Sequence, residues 1–382
     1  MNARRSTRRN DDGVALLLTL LFIALLTGLV VEYVYETQVE TSVVAASLSD
    51  FEALTAAKSA VNTGLSMLVS DALTMPGEAV AGSSSGQQGS SSEAISGGVA
   101  YDSLDEPWAY GVPFQELNNA VMECSISDEF GKLNLNALFR RGSRRQSTEE
   151  ESSETSEPEY DEMEEPDETL ELALQYLFEE RGAEGDVVDA ILDWIDSDDD
   201  TRPNGAESDY YQSLSKPFIC KNGPISSVEE LLLIRGITPE LYFGDPELEQ
   251  VPLSELLTVN GHRTGKINLN TAPYELLLAL GEAIGMPGLA EIAVEEREMS
   301  PFISEEDIET RGVVISEPED NDRNEESGRT TQSNPFTVAS SAFRLRGNGL
   351  AGEARVRIEA VLWRDVQMGA EGFRLLQWRE LR

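Results

Sequence analysis

The sequence predicts an α+β chain in which a long N-terminal transmembrane helix packs on a small antiparallel sheet, with a large all-helical domain inserted between strands. Three observations predict it. Val14 to Val31 runs 18 residues without a charge, and no Gly or Pro cluster interrupts the helical pattern before Pro76 and Gly77. Strand-like alternation appears on both sides of the middle: around Val121 to Ile126 first, then in "PFTVASSAFRLRG", "EARVRIEAVLWRD" and "FRLLQWRE". Between these lie short runs of helical spacing, among them "TLELALQYLFEERG", "DVVDAILDWID", "SSVEELLLIRG" and "TAPYELLLALGEAIG". Because sequentially adjacent strands tend to pair, the economical arrangement is one sheet with the helices inserted into it.

The N-terminal 13 residues carry Arg4, Arg5, Arg8 and Arg9 ahead of the apolar run. A secretory h-region is shorter and ends at a small-residue cleavage site, and no A-x-A-like site follows here. Basic residues before the span place the N-terminus in the cytoplasm and the rest of the chain across the membrane. Beyond Val31 an apolar stripe of Val44, Leu48, Phe51, Leu54, Val61, Leu65 and Leu68 extends the membrane helix into an amphipathic one, so 14–72 reads as one element. That stripe requires a globular domain or neighbouring helices to cover it.

Low-complexity segments divide the rest of the chain. A Gly/Ser-rich linker is expected over 73–115 ("AGSSSGQQGSSSEAISGG"), a disordered acidic insertion over 141–168, and a further acidic loop over 313–333. The folded pieces are then strands over 116–140, a helical domain over 169–312 and strands over 334–382.

Composition narrows the chemistry. With Lys+Arg 29 against Asp+Glu 70, the formal net charge of -41 repels phosphates and anionic lipid, and points to cations or basic proteins as ionic partners. Cys124 and Cys220 are the two cysteines, so no disulfide scaffold is implied, although one bridge between them is possible outside the cytosol. The one histidine, His262, sits in the turn "NGHRTG", too little for most proton-transfer or metallo-hydrolase chemistry.

The most concentrated chemistry is "DWIDSDDDTRPNGAESDYY", Asp193 to Tyr211, with seven carboxylates and one arginine among aromatic residues. Three readings compete: a catalytic acid pair, a cation-binding loop and a solvated acidic loop. Asp196, Asp198 and Asp200 stand at i, i+2 and i+4, and Glu207 comes eleven residues after Asp196, the positions 1, 3, 5 and 12 of an EF-hand loop. Position 6 is Thr201 where a sharp turn needs glycine, and Pro203 comes next but one, so a differently folded oxygen-rich loop is expected, with "PNG" supplying the turn. Unneutralised clustering costs like-charge repulsion, which favours Ca²⁺ held by Asp196, Asp198, Asp200 and Glu207. No acid is distinguished as a catalytic group, and no catalytic residues, small-molecule substrate or organic cofactor are expected.

Two near-copies, "GKLNLNAL" at Gly131 to Leu138 and "GKINLNTA" at Gly265 to Ala272, read as structural strand-to-helix corners. The segment after the second is similar to a helix-hairpin-helix unit, which in DNA-binding proteins offers backbone N–H groups to phosphate. Here Pro287 has no N–H, and Glu291, Glu295 and Glu296 come after it, so a packing unit is expected and nucleic acid is not. A membrane-anchored helix-hairpin-helix protein of DNA uptake remains the alternative reading.

Four separated features, in order, carry a resemblance: the basic leader ending at Gly13, "DEFGKLNLNAL", "DAILDWIDSDDDTRPNGAESDYY" and "INLNTAPYELLLAL". Together they resemble the minor pseudopilin K family of the type II secretion system, or general secretion pathway protein K. The resemblance implies a pilin-like fold, a prepilin leader over 1–13 cut between Gly13 and Val14 by a prepilin peptidase, and bound calcium. It implies a single-pass inner-membrane protein with the bulk of the chain periplasmic. It further implies a non-enzymatic structural subunit at the pseudopilus tip, partnered by minor pseudopilins I and J and other pseudopilins, that helps initiate assembly for protein export. The fifth mature position is Leu18, and the family characteristically lacks the glutamate most pilins carry there.

Overall fold

The computed structural model describes residues 11–74, 101–139, 166–183, 186–248, 250–313 and 334–382, apart from 366–367 and 369–371. Residues 1–10 of the expected leader, most of the Gly/Ser linker, the acidic insertion from 140 to 165 and the acidic loop from 314 to 333 lie outside the described residues. In chain order, α1 (Asp11–Thr74) leads to β1 (Val112–Leu117), β2 (Ala120–Asp128) and β3 (Leu133–Asn134). The helical domain comes next: α2 (Glu168–Glu180), α3 (Asp186–Ile195), α4 (Ser208–Gln212), α5 (Pro239–Phe243), α6 (Leu253–Leu256), β4 (Leu257–Thr258), β5 (Ile267–Asn268), α7 (Tyr274–Ala283), α8 (Leu289–Met299) and α9 (Glu305–Thr310). The chain returns through β6 (Phe336–Thr337), β7 (Ala342–Ala351), β8 (Ala354–Arg364) and β9 (Phe373–Leu381).

The main sheet is antiparallel in the order β1-β2-β7-β8-β9. The three central strands β2, β7 and β8 alternate buried and more solvated positions, with Met122, Cys124, Ile126, Phe343, Leu345, Val356, Ile358 and Ala360 in the core beneath α1. The helix approaches β7 at backbone distance because both sides are small. Ala53, Ala56, Ala57 and Ala60 recur at helical spacing and are fully buried, with Ala53 and Ala57 facing Gly349 and Gly347. A Cβ at position 347 would lie 2.7 Å from the Ala57 carbonyl oxygen, and one at position 349 would overlap that of Ala53. The stripe of large residues read from the sequence is buried only in its C-terminal part: Val61 and Leu68 are in the core and Leu54 and Leu65 are half-buried against it, whereas Val44, Leu48 and Phe51 are exposed and alanines make the closest contact. A periodicity count weights large apolar side chains, whereas a helix crossing a sheet this closely selects their absence.

Residues 101–117, assigned largely to the linker from composition, include ordered structure. Trp108 is buried, stands edge-on to Phe343 at 5.1 Å and donates to Glu106 at 2.9 Å, and β1 pairs with β2 as an edge strand. Arg364, fully buried at the end of β8, ties this segment to the far end of α1. Its guanidinium donates to Asp71 at 3.0 Å, to Asp102 and to the Ser340 carbonyl at 2.9 Å. Burial pushes Asp102 up to about 7, against the pull of Arg364.

The helical domain leaves the sheet at Asp128 and rejoins it at Phe343, and these two residues are register partners across β2 and β7. The domain is internally repeated. β3 pairs in parallel with β4, and β5 with β6. In the first half Asn136 accepts from the Ile225 N–H at 2.8 Å and donates to its carbonyl at 2.9 Å. In the second, Asn270 does the same to Phe302 at 2.8 and 2.9 Å. Gly182 and Gly285 come after α2 and α7 with φ of 74° and 71°, left-handed turns that only glycine adopts without strain. The two near-copies in the sequence are thus the corners of two related helical units. Cys124 lies in the core beneath α1 and Cys220 in the core of the helical domain; both are free thiols.

The α1–β7 seam sets an expected outcome. Gly349→Ala should lower stability by about 2 kcal/mol or more, in the range of overpacked cores. The check is a lower denaturant midpoint at unchanged slope, and an unaltered midpoint would contradict the seam.

Candidate cation site in the helical domain

α3 delivers two carboxylates one turn apart, Asp193 from its last turn and Asp196 just past its end, which puts them on one side. The chain then loops out and returns. Arg202 donates through Nη1 to Asp193 Oδ1 at 2.7 Å and to Asp196 Oδ2, while its own N–H approaches the Asp193 carboxylate at 3.3 Å. Gly205 passes so close to Asp193 Oδ2 that a Cβ there would overlap it, which is why "PNG" needs its glycine. Glu207 stands at the start of α4, buried, with its side chain turned toward the two aspartates.

Asp193, Asp196 and Glu207 each present a carboxylate oxygen within 4.8 Å of the others. Asp196 Oδ1 and both Glu207 oxygens are buried and receive no N–H or O–H bond, with the Cys220 thiol alongside Glu207. Three converging buried carboxylate oxygens that take no N–H or O–H bond fit a hard cation, which would complete its shell with backbone carbonyls and water. An unpaired buried carboxylate is costly, and either a cation or protonation relieves that cost. Burial first, then the charges of Asp193, Asp196 and Asp199, push Glu207 up to about 7. Asp193 and Asp196 are raised as well, by burial opposed by Arg202.

Aromatic packing holds the loop in place. Trp194 stands edge-on to Tyr211 at 5.2 Å, Tyr211 stacks on Phe218 at 5.1 Å, and the Tyr211 hydroxyl accepts the Arg235 N–H at 3.3 Å. Arg235 also donates to the Gly205 carbonyl at 2.9 Å. Of the residues expected to ligate, Asp196 and Glu207 come together. Asp198 and Asp200 stay outside and exposed, with Asp198 Oδ1 accepting the Asp200 N–H at 2.8 Å in a local turn. Asp193 is the third carboxylate of the cluster instead. Its signal was present in the sequence as the i, i+3 partner of Asp196 on a helix, but the EF-hand spacing treats the loop as the only ligand source. This loop has no counterpart in the second half of the domain, where α8 ends at Met299 only three residues before Phe302.

A second acidic cluster, Asp71, Asp102 and Glu106, is organised differently. Arg364 neutralises two of its members, and Glu106 accepts from Ser103 N–H and Trp108 Nε1, both at 2.9 Å. It is a clamp on α1.

A helix long and apolar enough to cross a membrane, an antiparallel sheet beneath its C-terminal part and an inserted helical domain together fit a membrane-anchored pilin-like chain. Residues 131–243 match the family model "Type II secretion system (T2SS), protein K". The chain is 28% identical over 235 residues to type II secretion system protein K of Pectobacterium carotovorum subsp. carotovorum, covering 62% of this chain and 61% of that protein. It is 25% identical over 230 residues to the protein of that name from Klebsiella pneumoniae, covering 60% and 59%. The chain therefore spans about 60% of the length of these curated relatives. A solved structure described as the GspK-GspI-GspJ complex from the enterotoxigenic Escherichia coli type 2 secretion system shares the fold. One of its chains matches at a TM-score of 0.58 and 19% identity, over 89% of this chain and 99% of its own length. Over residues 131–243, and more weakly over about 60% of its length, the chain is thus similar to type II secretion system protein K.

The raised Glu207 fixes a pH dependence for the ion-free protein. A carboxylate whose folded pKa exceeds its unfolded value contributes stability that is present at low pH and lost as pH rises through the folded pKa. In excess chelator the thermal midpoint should therefore fall between about pH 4.5 and 7, and Glu207→Gln should flatten that fall; an equal slope in both proteins would contradict the placement of Glu207.

Proposed function

We propose that the chain is a minor pseudopilin, a non-enzymatic structural subunit at the tip of the type II secretion pseudopilus. It helps initiate assembly and supports protein export across the outer membrane. One observation carries this reading: α1 is divided between two environments. Its C-terminal part is buried on the sheet, whereas Val14 to Val31 projects with its apolar side chains exposed. A single-pass anchor satisfies that face in the inner membrane before assembly, and neighbouring subunits satisfy it afterwards. Leu18 leaves the apolar segment without a carboxylate, which suits a subunit with none above it to pair with.

In this reading the N-terminus is cytoplasmic, the sheet and helical domain are periplasmic, and a prepilin peptidase cuts between Gly13 and Val14, a bond lying near the start of α1. The partners are minor pseudopilins I and J of the same system, by analogy with the solved complex that shares the fold. Ca²⁺ binds at Asp193, Asp196 and Glu207 and orders the loop from 196 to 224. The DNA-uptake alternative is disfavoured by the hairpin itself: α8 carries Glu291, Glu295 and Glu296, and the net charge is -41.

Co-expression with minor pseudopilins I and J should yield a complex containing all three, and a chain that purifies alone counts against the assignment. The mature protein should begin at Val14, and Gly13→Leu should retain the leader, both read by N-terminal sequencing. Calcium should bind with measurable heat and raise the thermal midpoint, as mass action requires of a native-state ligand. Glu207→Gln should weaken that binding by at least roughly tenfold, as expected from losing a buried charge partner, and unchanged affinity would remove Glu207 from the site.

A further inference from the structure

The three carboxylates of Asp193, Asp196 and Glu207 and the one guanidinium of Arg202 give the cluster a formal charge of three negatives and one positive, or -2. How Arg202 binds decides whether its charge belongs to the site. Its Nη1 takes Asp193 Oδ1 and Asp196 Oδ2, and its backbone N–H also bonds the Asp193 carboxylate. The oxygens it leaves are the ones turned toward a ligand: Asp196 Oδ1 and both oxygens of Glu207, a residue only 3% exposed. At Asp196 arginine and ion would thus use different oxygens of one carboxylate, while Arg202 bonds both oxygens of Asp193 and leaves Glu207 untouched. The guanidinium lies 5.7 Å from the Phe139 ring centre, and its side chain is 25% exposed, so it is held in place by its partners.

We propose that Arg202 stays in the site when the ion binds and sets the valence the site accepts. By cancelling one of three carboxylate charges, it matches the cluster to a single divalent cation over a trivalent cation of the same size. This inference rests on the cation reading above. The physical lever is the added unit charge on a trivalent ion. At about 5 Å from a guanidinium, with an effective dielectric of about 20, that charge corresponds to roughly two orders of magnitude in an equilibrium constant. The net charge of the cluster reaches zero when a divalent ion joins the arginine, and changes sign when a trivalent one does.

The test uses the full chain in detergent, titrated calorimetrically with CaCl₂ and with TbCl₃, in the wild type, Arg202→Met and Arg202→Lys. Terbium emission excited through the adjacent Trp194 places the trivalent ion at this loop. The terbium-to-calcium affinity ratio should rise by at least roughly tenfold in Arg202→Met and stay within about threefold in Arg202→Lys, which keeps the charge. An unchanged ratio in Arg202→Met overturns the proposal in either of two ways. If both affinities rise together, the arginine leaves as the ion enters; if both fall together, it only holds the loop. Should Arg202→Met fail to show a cooperative thermal transition, Arg202→Gln replaces it with the same expected ratio. A wild type that binds neither ion overturns the cation reading itself, and the valence role with it, which separates that failure from a failure of Arg202 alone.

Discussion

The backbone contact between α1 and β7 is the constraint on which the rest of the molecule depends. Ala53 and Ala57 stand over Gly349 and Gly347 with no room for a methyl group between helix and strand. That proximity lets one helix cover the central strands of a five-stranded sheet, and it fixes β7, the strand to which the helical domain returns. Burial of alanine yields little hydrophobic free energy per side chain. The seam instead gains from dense packing, where any added volume is felt directly.

From β7 the constraint passes into the insertion. Asp128 and Phe343 are register partners, and the Glu129 N–H donates to the Ala342 carbonyl at 2.9 Å, so the domain enters and leaves through neighbouring strand ends. Glu129 is fully buried at that junction. Despite the cost of its burial, Lys132 at 3.1 Å and the bidentate Arg344 at 2.9 and 2.8 Å hold it well below the usual carboxylate range. Asn268, from the second of the near-copies, donates to Asp128 at 3.0 Å and to the Asp102 carbonyl at 3.1 Å. Sheet and helical domain are therefore joined by buried, fully partnered polar groups, which specify geometry more than they add stability.

Much of this was legible in sequence because it rests on local periodicity: the apolar run of α1, the alternation of β2, β7 and β8, and the Gly and Asn corners of the repeat. What was not legible depended on tertiary approach. The buried face of α1 is defined by the glycines of β7, nearly three hundred residues away, so Phe51 and Leu48 were natural but incorrect choices for the core. Trp108 orders a segment that composition assigned to a linker, because Phe343 on β7 offers it a ring to pack against. At the site, Glu207 and Asp196 were readable from carboxylate spacing. Asp193 required knowing that the loop folds back onto the helix that precedes it, a closure made by Gly205 and Arg202.

The internal repeat explains why the site lies where it does. Both halves of the helical domain share a corner asparagine that brackets a distant peptide unit, and both turn through left-handed glycines after α2 and α7. These features hold the scaffold. The loop after α3 is the departure from the repeat, carrying its own aromatic anchors in Trp194, Tyr211 and Phe218. Because those anchors pack on the helical core and not on the sheet, a cation bound by Asp193, Asp196 and Glu207 stabilises the helical domain by mass action. The α1–β7 seam reaches that loop only through the strand ends that carry the insertion. The sheet side of α1 and the loop after α3 thus belong to two cores, joined where the chain leaves β2 at Asp128 and returns to β7 at Phe343.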